Sequence, residues 1–267
     1  MNDYDYSVYY RFWHDDTAEH QTQMISYCKS FLSPLLKDTP PSTPILDVGC
    51  GTGFALLALK HMGFANLHGI ERDAAQYESS LSKGLQVTLT DNTEGYLGGF
   101  PQTYDVVLLL DVLEHIPVEK QIGFLRAIYS ALRPDGKLIL QVPNACSPFG
   151  LYFRYNDYTH HSSFTSHSLQ FVCVNAGFNS FAIQNIGKDL PEPSWRGLVY
   201  WGLTYWSSDS RKNLRHYLHH RKSRLFRSWW KRNFMWEFGY SPQQMEQYAF
   251  VFTPNILAVA QKGASSE

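Results

Sequence analysis

Short apolar runs alternate with longer polar-faced segments through the middle of the chain. Five runs are rich in branched apolar residues and have the length of a strand; they are 45–48, 67–70, 85–89, 106–110 and 137–142. Segments of helical length separate most of them, including Phe54–His61 and residues 118–132. This alternation predicts an α/β fold, with a parallel sheet covered by helices on both faces and joined by right-handed crossovers.

The ends of this pattern divide the chain into four regions. A mostly helical lid segment (1–43) is expected before a proline-rich break, and an α/β core (44–186) follows it. In the core, residues 133–136 are expected to form a turn, a helix spans about 165–176, and a strand follows near 178–186. A helical insertion (187–254) then precedes a final edge strand and tail (255–267), and inserts of such length usually carry function.

A glycine-rich turn follows the first predicted strand. Gly49, Gly51 and Gly53 alternate with other residues directly before an apolar helix, so a ligand can press against bare peptide groups there. Glu71 closes the next strand about 20 residues further on, where a ribose hydroxyl would need an acceptor. The G-x-G-x-G spacing differs from the G-x-G-x-x-G that suits a pyrophosphate, so it disfavours nicotinamide and flavin cofactors.

Composition narrows the class of protein. The chain has 267 residues, 44% of them hydrophobic, and a net charge of −1, which suits one α/β domain with elaborations and gives no reason to expect a nucleic-acid partner. Its 4 cysteines include no C-x-x-C pair, so neither a zinc knuckle nor a disulfide framework is expected. The start of the chain is acidic and aromatic, and no apolar run reaches the roughly 18 residues of a spanning helix. We therefore expect a cytoplasmic protein, at most peripheral to the inner membrane.

Four blocks of sequence carry a family resemblance. They are residues 47–53, 68–73, 105–116 and 132–137. Together they resemble the class I S-adenosylmethionine-dependent methyltransferases over residues 44–144. The resemblance implies a Rossmann-like, seven-stranded sheet, S-adenosylmethionine as cofactor and S-adenosylhomocysteine as product. In the family's plan the last two strands pair at the sheet edge, and the insertion lies between them.

The resemblance also implies where the cofactor binds. Asp47 would hold the glycine loop through backbone N–H groups or an ordered water, and Gly49, Cys50, Gly51 and Gly53 would line it. Glu71 would accept both ribose hydroxyls, because a carboxylate can take two O–H donors.

Further cofactor contacts are expected around this loop. Arg72 would border the adenine, while Asp91 and Asn92 would face its amino group. Asp111 and Val112 would lie beside the reaction centre at the end of the fourth strand. Aspartate and asparagine also favour strand ends and helix caps without any ligand, which is the alternative for each of them.

The N-terminal segment supplies one more candidate. In related enzymes an aromatic segment there folds over the cofactor as a lid, and Tyr10 is the candidate in this chain. A packed amphipathic helix is the alternative.

The first candidate catalytic group is Asp111, Glu114 and His115. A sulfonium methyl is already activated, so an alcohol acceptor needs chiefly orientation and a base or metal to take up its proton. His115 is the favoured base, oriented by Glu114. The acidic-x-x-Glu-His spacing resembles that of the ubiquinone-biosynthesis O-methyltransferases, where it serves metal binding, so Mg²⁺ on these three residues is the alternative.

The second candidate group follows the fifth strand. The Asp-x-Thr-His of Asp157–His160 with the Phe-Thr after it resembles bacterial glycan and lipopolysaccharide methyltransferases, and it makes His160 a second candidate base with Asp157 to orient it. Asn144, Tyr152 and Arg154 are candidate substrate contacts. Alternatively, Asp157 and His160 only stabilise the loop, and Thr165 caps the next helix.

The insertion is aromatic and basic. Residues 195–206 begin with Trp195, a candidate substrate contact, and residues 211–232 hold nine Lys or Arg and no Asp or Glu. Such a segment suits an anionic membrane surface or an anionic sugar, and a solvated helix packed by its aromatic residues is the alternative.

These observations predict an S-adenosylmethionine-dependent O-methyltransferase acting on a bacterial surface-glycan intermediate. The acceptor would be a lipid-linked chain or a terminal acidic sugar, such as Kdo in lipopolysaccharide O-antigen. The alternatives are a metal-dependent quinone-pathway or aromatic O-methyltransferase and a non-catalytic binding module of the same fold. A chelator should inactivate the metal enzyme, whereas a histidine base should give a pH–rate limb near neutrality.

Overall fold

The computed structural model describes residues 17–184 and 255–264. The chain divides into two units, residues 1–184 with 254–267 and residues 185–253, and the described residues all belong to the first. Of the predicted lid segment 1–43, the structure describes residues 17–43, and a helix spans Ala18–Leu35 there, as expected. Tyr10 and the insertion with Trp195 lie outside the described residues, and their roles stay predictions.

Seven strands form one sheet in the order β3-β2-β1-β4-β5-β7-β6. Their bounds are β1 Ile45–Val48, β2 Leu67–Glu71, β3 Val87–Leu89, β4 Tyr104–Leu110, β5 Leu132–Pro143, β6 Ser180–Gln184 and β7 Asn255–Gln261. Neighbouring strands from β3 to β5 pair in parallel, whereas β7 is antiparallel to both β5 and β6. The predicted α/β sheet is confirmed.

One prediction about the sheet is wrong. The last strand was expected at the sheet edge, but β7 lies between β5 and β6, and β6 is the edge strand. The burial of β7 fits this place, because Ile256, Leu257 and Ala258 are buried. Its interior position satisfies backbone hydrogen-bonding groups on both of its sides.

Seven α-helices and two short 3₁₀ helices connect the described strands. The α-helices are α1 Ala18–Leu35, α2 Phe54–His61, α3 Ala74–Ser82, α4 Thr93–Gly98, α5 Gln121–Ala131, α6 Pro148–Asn156 and α7 Ser166–Ala176. The 3₁₀ helices are Leu113–His115 and Val118–Lys120. Side-chain caps begin several of them: Asp73 accepts from the Gln76 N–H at 2.9 Å, and Thr165 accepts from the Ser168 N–H at 3.1 Å. Thr165 therefore caps α7, which is the alternative role given for it above.

The core lies on both faces of the central strands. Four consecutive residues of β4, Val106 to Leu109, and three of β5, Leu138 to Leu140, are at most 1% exposed. A central parallel strand must be apolar on both faces in this way. Each fully buried leucine or isoleucine contributes about 1.5–3 kcal/mol by leaving water, which holds the strand ends of the site in fixed positions.

Two predicted boundaries near β5 are wrong. The helix predicted over 118–132 is a 3₁₀ turn followed by α5, which ends at Ala131. The predicted turn over 133–136 belongs to β5, where Asp135 takes a positive φ of 61° and the pairing with β4 shifts register between Tyr104 and Val106. Proline and glycine in this stretch predict a turn after the helix, but they lie within β5, where its pairing with β4 shifts register.

The strand order places the candidate site. β1 lies between β2 and β4. The chain runs from β1 to β2 and β3 on one side and then crosses to β4 on the other side, so the strand order reverses at β1. In open α/β sheets ligands bind in the crevice outside the carboxyl ends of the strands at such a point. The glycine loop, Glu71 and Asp111 all follow these three strands. Within the described residues, the model has no helix with the length and apolar character needed to cross a bilayer.

Candidate functional site

The glycine loop after β1 has a backbone conformation that residues with a Cβ rarely adopt. Gly49, Gly51 and Gly53 have φ angles of 72°, 56° and 84°, in the left-handed region where glycine carries no Cβ penalty. The N–H groups of Gly49 and Cys50 donate to the Ile70 carbonyl at 2.9 and 3.1 Å. A Cβ on Gly49 would lie 2.6 Å from Val112 Cγ2. The loop is therefore fixed against β2 and against the residue that follows β4.

Glu71 anchors this loop. One carboxylate oxygen accepts from the Gly51 N–H at 2.8 Å, and the other accepts from the N–H groups of Arg72 and Asp73, each at 2.8 Å. A carboxylate offers about four lone-pair sites, so three of them are occupied by the backbone. The sequence pointed to Glu71 as a ribose acceptor; its role in holding Gly51 needed the structure.

Asp47 lies beneath the loop. It is 2% exposed, and its burial, with the nearby charge of Glu71, raises its pKa to about 7. The first three loop amides donate to Ile70 and Glu71 rather than to Asp47. Asp47 therefore does not hold the loop through these three amides, and the predicted contact through an ordered water stays a prediction.

Cys50 contributes its backbone to the loop and its side chain to the core. The thiol is buried in a cluster with Leu56, Leu57, Leu85 and Val87, and burial raises its pKa above the ordinary range. A ligand in the crevice can meet Cys50 only through its peptide groups.

The residues expected around the adenine differ in role. Arg72 is exposed, and its charge helps to lower the pKa of His115. Asp91 is exposed at the end of β3. Asn92 caps α4, since its side-chain oxygen accepts from the Gly95 N–H at 2.9 Å. For Asn92 the capping alternative is what the structure shows.

Asp111 follows β4 with a positive φ of 54°. Its carboxylate accepts from Gln141 Nε2 at 2.7 Å, and Gln141 Oε1 accepts from the Tyr27 hydroxyl at 3.0 Å. Asn255 Nδ2 is a further donor to Asp111 at 3.4 Å. These bonds connect α1, β5 and β7 to the end of β4. Tyr27 and Gln141 are more than 100 residues apart in the sequence, so no local sequence pattern indicates the bond between them.

Glu114 is fully buried in the 3₁₀ turn after β4. Neither carboxylate oxygen has a hydrogen-bond partner within the described residues. Burial, followed by the charge of Asp111, raises its pKa well above the usual range. Its backbone carbonyl accepts from the His161 N–H at 2.7 Å, which ties this turn to the loop after α6.

His115 is held by that loop. Its Nδ1 lies 2.7 Å from Thr159 Oγ1, and Thr159 Oγ1 donates to Asp157 Oδ1 at 2.6 Å. Desolvation, followed by the nearby His160, lowers the pKa of His115 to about 4. The two imidazole centroids are 4.5 Å apart with an interplanar angle of 77°.

His160 completes the cluster. Its Nε2 lies 3.6 Å from Asp157 Oδ2, while its Nδ1 is buried without a hydrogen-bond partner in the described part of the chain. Burial lowers its pKa, against the opposing charge of Asp157. The two candidate groups that the sequence kept separate are thus one cluster, which also includes Thr159.

Comparison with known proteins places the chain in a family. The model of the methyltransferase domain matches residues 20–182. The chain belongs to the methyltransferase domain family. This membership confirms the predicted class I methyltransferase and its cofactor, S-adenosylmethionine, and the glycine loop with Glu71 fits an adenosyl group.

Relatives and solved structures agree with this assignment. Over 105 residues the methyltransferase is 31% identical to the ubiquinone biosynthesis O-methyltransferase of Proteus mirabilis, covering 38% of this chain and 42% of that one. Over 109 residues it is 34% identical to the same enzyme of Pseudomonas savastanoi pv. phaseolicola, covering 38% and 44%. The matched region is thus less than half of each relative's length.

The fold recurs in proteins of low identity. A SAM-dependent methyltransferase from Archaeoglobus fulgidus has a TM-score of 0.60 at 17% identity, covering 97% of this chain and 100% of that one. A protein from Pyrococcus horikoshii OT3 has a TM-score of 0.55 at 14% identity, covering 68% and 94%.

A possible metal-ligand group in this methyltransferase differs from the predicted set. Ligand atoms of Glu114, His115 and His160 all lie within 4.8 Å of one another. The alternative set from the sequence contained Asp111, and in the structure His160 stands in its place. Two imidazoles and one carboxylate fit a transition metal better than Mg²⁺, which prefers oxygen ligands.

The predicted substrate contacts lie around the loop after β5. Asn144 is fully buried, and its side chain accepts from the Cys146 N–H at 3.0 Å, so it closes the turn there. Tyr152 is 56% exposed. Arg154 donates to the His161 carbonyl at 3.1 Å, which places its guanidinium beside the histidine cluster. Tyr152 and Arg154 remain candidates for acceptor contacts.

Proposed function

We propose that this methyltransferase transfers a methyl group from S-adenosylmethionine to a hydroxyl of a bacterial surface-glycan intermediate, with His115 as the base. The observation that carries the proposal is the position of His115. It lies in the 3₁₀ turn after β4, at the same edge of the sheet as the glycine loop and Glu71, and its ring is bonded to Thr159, which in turn donates to Asp157.

The reaction asks these residues for orientation and one proton transfer. The bound cofactor supplies an electrophilic methyl group on a sulfonium. The acceptor oxygen forms a bond to the methyl carbon as the carbon–sulfur bond breaks, and the electron pair of that bond stays on sulfur. The imidazole of His115 takes the hydroxyl proton, so the positive charge lost at sulfur reappears on the ring. The site keeps its net charge.

The acidity of His115 sets the pH dependence. Because its pKa is lowered to about 4, the ring is neutral and ready to accept a proton at every pH above that value. The acid limb of the rate is therefore expected near pH 4 rather than near neutrality, where the sequence had suggested it.

Exposed aromatic side chains near the cluster support a glycan acceptor. Tyr152, Tyr155 and Tyr158, on and just after α6, are 56%, 79% and 91% exposed, and the Arg154 guanidinium lies 5.3 Å from the Tyr155 ring. Exposed aromatic surface beside a polar site is typical of ligand binding, and its rings can stack on the C–H faces of sugars. The basic segment 211–232 would add affinity for an acidic sugar or an anionic membrane; both contacts are part of the proposal.

A second candidate is a metal-dependent O-methyltransferase of small quinone-pathway or aromatic acceptors. The fully buried Glu114 favours it, since both carboxylate oxygens lack partners within the described residues and lie among two imidazoles. Buried unsatisfied oxygens of this kind commonly mark a catalytic group or the ligand of an ion. In this candidate the metal would lower the pKa of the acceptor hydroxyl.

The test is release of S-adenosylhomocysteine with two acceptor panels, acidic-sugar glycans and catechols. The proposal predicts turnover with a glycan and its loss in His115→Ala, while the exposed His61→Ala control keeps the wild-type rate. Turnover with catechols alone supports the second candidate. A His115→Ala variant with full turnover on the accepted substrate would refute the assignment of the base.

A further inference from the structure

We propose that Thr159 is a positioning residue that fixes His115 as the Nδ1–H tautomer, so that Nε2 carries the lone pair presented to the acceptor. This inference rests on the proposed function for its catalytic meaning. Thr159 is the threonine of the Asp-x-Thr-His motif, in which the sequence gave it no role of its own.

The Thr159 hydroxyl has a single hydrogen to donate. Its oxygen lies 2.6 Å from Asp157 Oδ1 and 2.7 Å from His115 Nδ1. The hydroxyl donates its one hydrogen to Asp157 Oδ1. The hydroxyl oxygen must then be the acceptor towards His115. Nδ1 of His115 is the donor in that contact.

The tautomer of His115 follows from this direction. A neutral imidazole carries one N–H, and the other ring nitrogen is an acceptor. His115 must be in this neutral form to accept a proton. Its hydrogen is on Nδ1, and Nε2 is therefore the nitrogen that can take a proton.

Asp157 acts on both histidines from a buried position. It is 4% exposed, and its second oxygen lies 3.6 Å from His160 Nε2. The charges that face His115 are those of Asp157, which favours the protonated ring, and of His160, Arg72 and His161, which oppose it. The hydroxyl of Thr159 is the direct link between Asp157 and the His115 ring, so it favours the imidazolium that forms during proton transfer.

The role of the loop can be separated from that of the hydroxyl. The Thr159 backbone N–H also donates to Asp157 Oδ1, at 2.8 Å, which forms a local turn of the kind that aspartate commonly makes. Thr159→Val keeps this N–H and nearly the same side-chain volume while removing the hydroxyl. Thr159→Ser keeps the hydroxyl. The pair therefore distinguishes loop structure from control of the tautomer.

The test combines spectroscopy with kinetics. Proton–nitrogen correlation spectra of protein with ¹⁵N-labelled histidine report which ring nitrogen carries the hydrogen, and His115→Gln identifies the signals. The wild type and Thr159→Ser should show His115 as Nδ1–H at pH 7. In Thr159→Val the Nε2–H form should appear, and kcat should fall about 10- to 100-fold with an unchanged KM for S-adenosylmethionine.

Either of two results would overturn the proposal: a wild-type His115 in the Nε2–H form, or a Thr159→Val variant with wild-type tautomer and kcat. Because the wild-type spectrum needs no acceptor and no variant, it is informative even if Thr159→Val folds poorly. It also separates the two proposals. An Nδ1–H ring in an enzyme that methylates no hydroxyl would contradict the proposed function alone. O-methylation with an Nε2–H ring would contradict the role of Thr159 and the assignment of His115 as base, and would leave the O-methyltransferase activity standing.

Discussion

Replacing Gly49 by alanine should weaken cofactor binding more than it weakens the fold. Gly49 has a φ of 72°, and a non-glycine residue in the left-handed region costs about 1–2 kcal/mol. Gly84 is a matched control, because its φ is 69° and a Cβ there would meet nothing within 4 Å. Each variant should therefore lose about 1–2 kcal/mol of unfolding free energy from the backbone alone, or about 2–8 °C in Tm.

The two variants should differ at the site. The new methyl of Gly49→Ala would lie 2.6 Å from Val112 Cγ2, so the loop or Val112 must move. Overpacking of this kind costs about 1–3 kcal/mol. If that displacement falls on the cofactor contacts, the dissociation constant for S-adenosylmethionine should rise about 5- to 150-fold. Gly84→Ala should bind the cofactor as the wild type does.

Calorimetric titration and thermal melts measure both effects, and Val112→Ala provides the rescue. With the two methyl groups of Val112 removed, the nearest atom to the new Cβ is the Cβ of residue 112, at 3.7 Å, an ordinary contact. The double variant should therefore recover most of the affinity that Gly49→Ala loses. Equal cofactor affinities for Gly49→Ala and Gly84→Ala would refute the claim that this loop contacts the cofactor.

Three further changes test the site. Glu71→Gln should lower the unfolding free energy by roughly 1–3 kcal/mol and should lower cofactor affinity at least about tenfold. The carboxylate accepts three N–H groups on its two oxygens, whereas an amide has only one accepting oxygen. Wild-type cofactor binding by calorimetry would contradict this. The rate should fall as the pH drops through about 4, where His115 becomes protonated, and a pH–rate limb near neutrality would contradict that assignment. Dialysis against a chelator should leave the rate unchanged if His115 is the base, whereas inactivation reversed by Zn²⁺ or Mn²⁺ would favour the metal site of Glu114, His115 and His160.

The sequence predicted the fold well where local signals were strong. The bounds of Ile45–Val48 and Phe54–His61 and the start of the last strand at Asn255 agree with the structure, because glycine or proline precedes each of them. The spatial place of β7 was wrong because strand order across a sheet is a tertiary property. Residues 133–136 were misassigned because proline and glycine also occur at strand irregularities.

The candidate site was predictable in its parts and not in its assembly. The motifs located Glu71, His115 and His160, since each follows a recognisable strand or repeats a family pattern. Thr159 carried no signal of its own, because its role depends on a bond to a residue 44 positions away. The bonds between Tyr27, Gln141 and Asp111 were missed for the same reason. The role of Asn144 depends on its burial, because its buried side chain closes a turn in the interior.

The most direct test of the central claim is a crystal structure of the protein with S-adenosylhomocysteine. We expect one ribose hydroxyl at the Glu71 lone-pair site that the backbone leaves open, the amino-acid portion against the loop of Gly49 to Gly51, and the sulfur facing the side of the crevice that holds His115. A ligand bound elsewhere, or a crevice after β1, β2 and β4 that side chains fill, would contradict it.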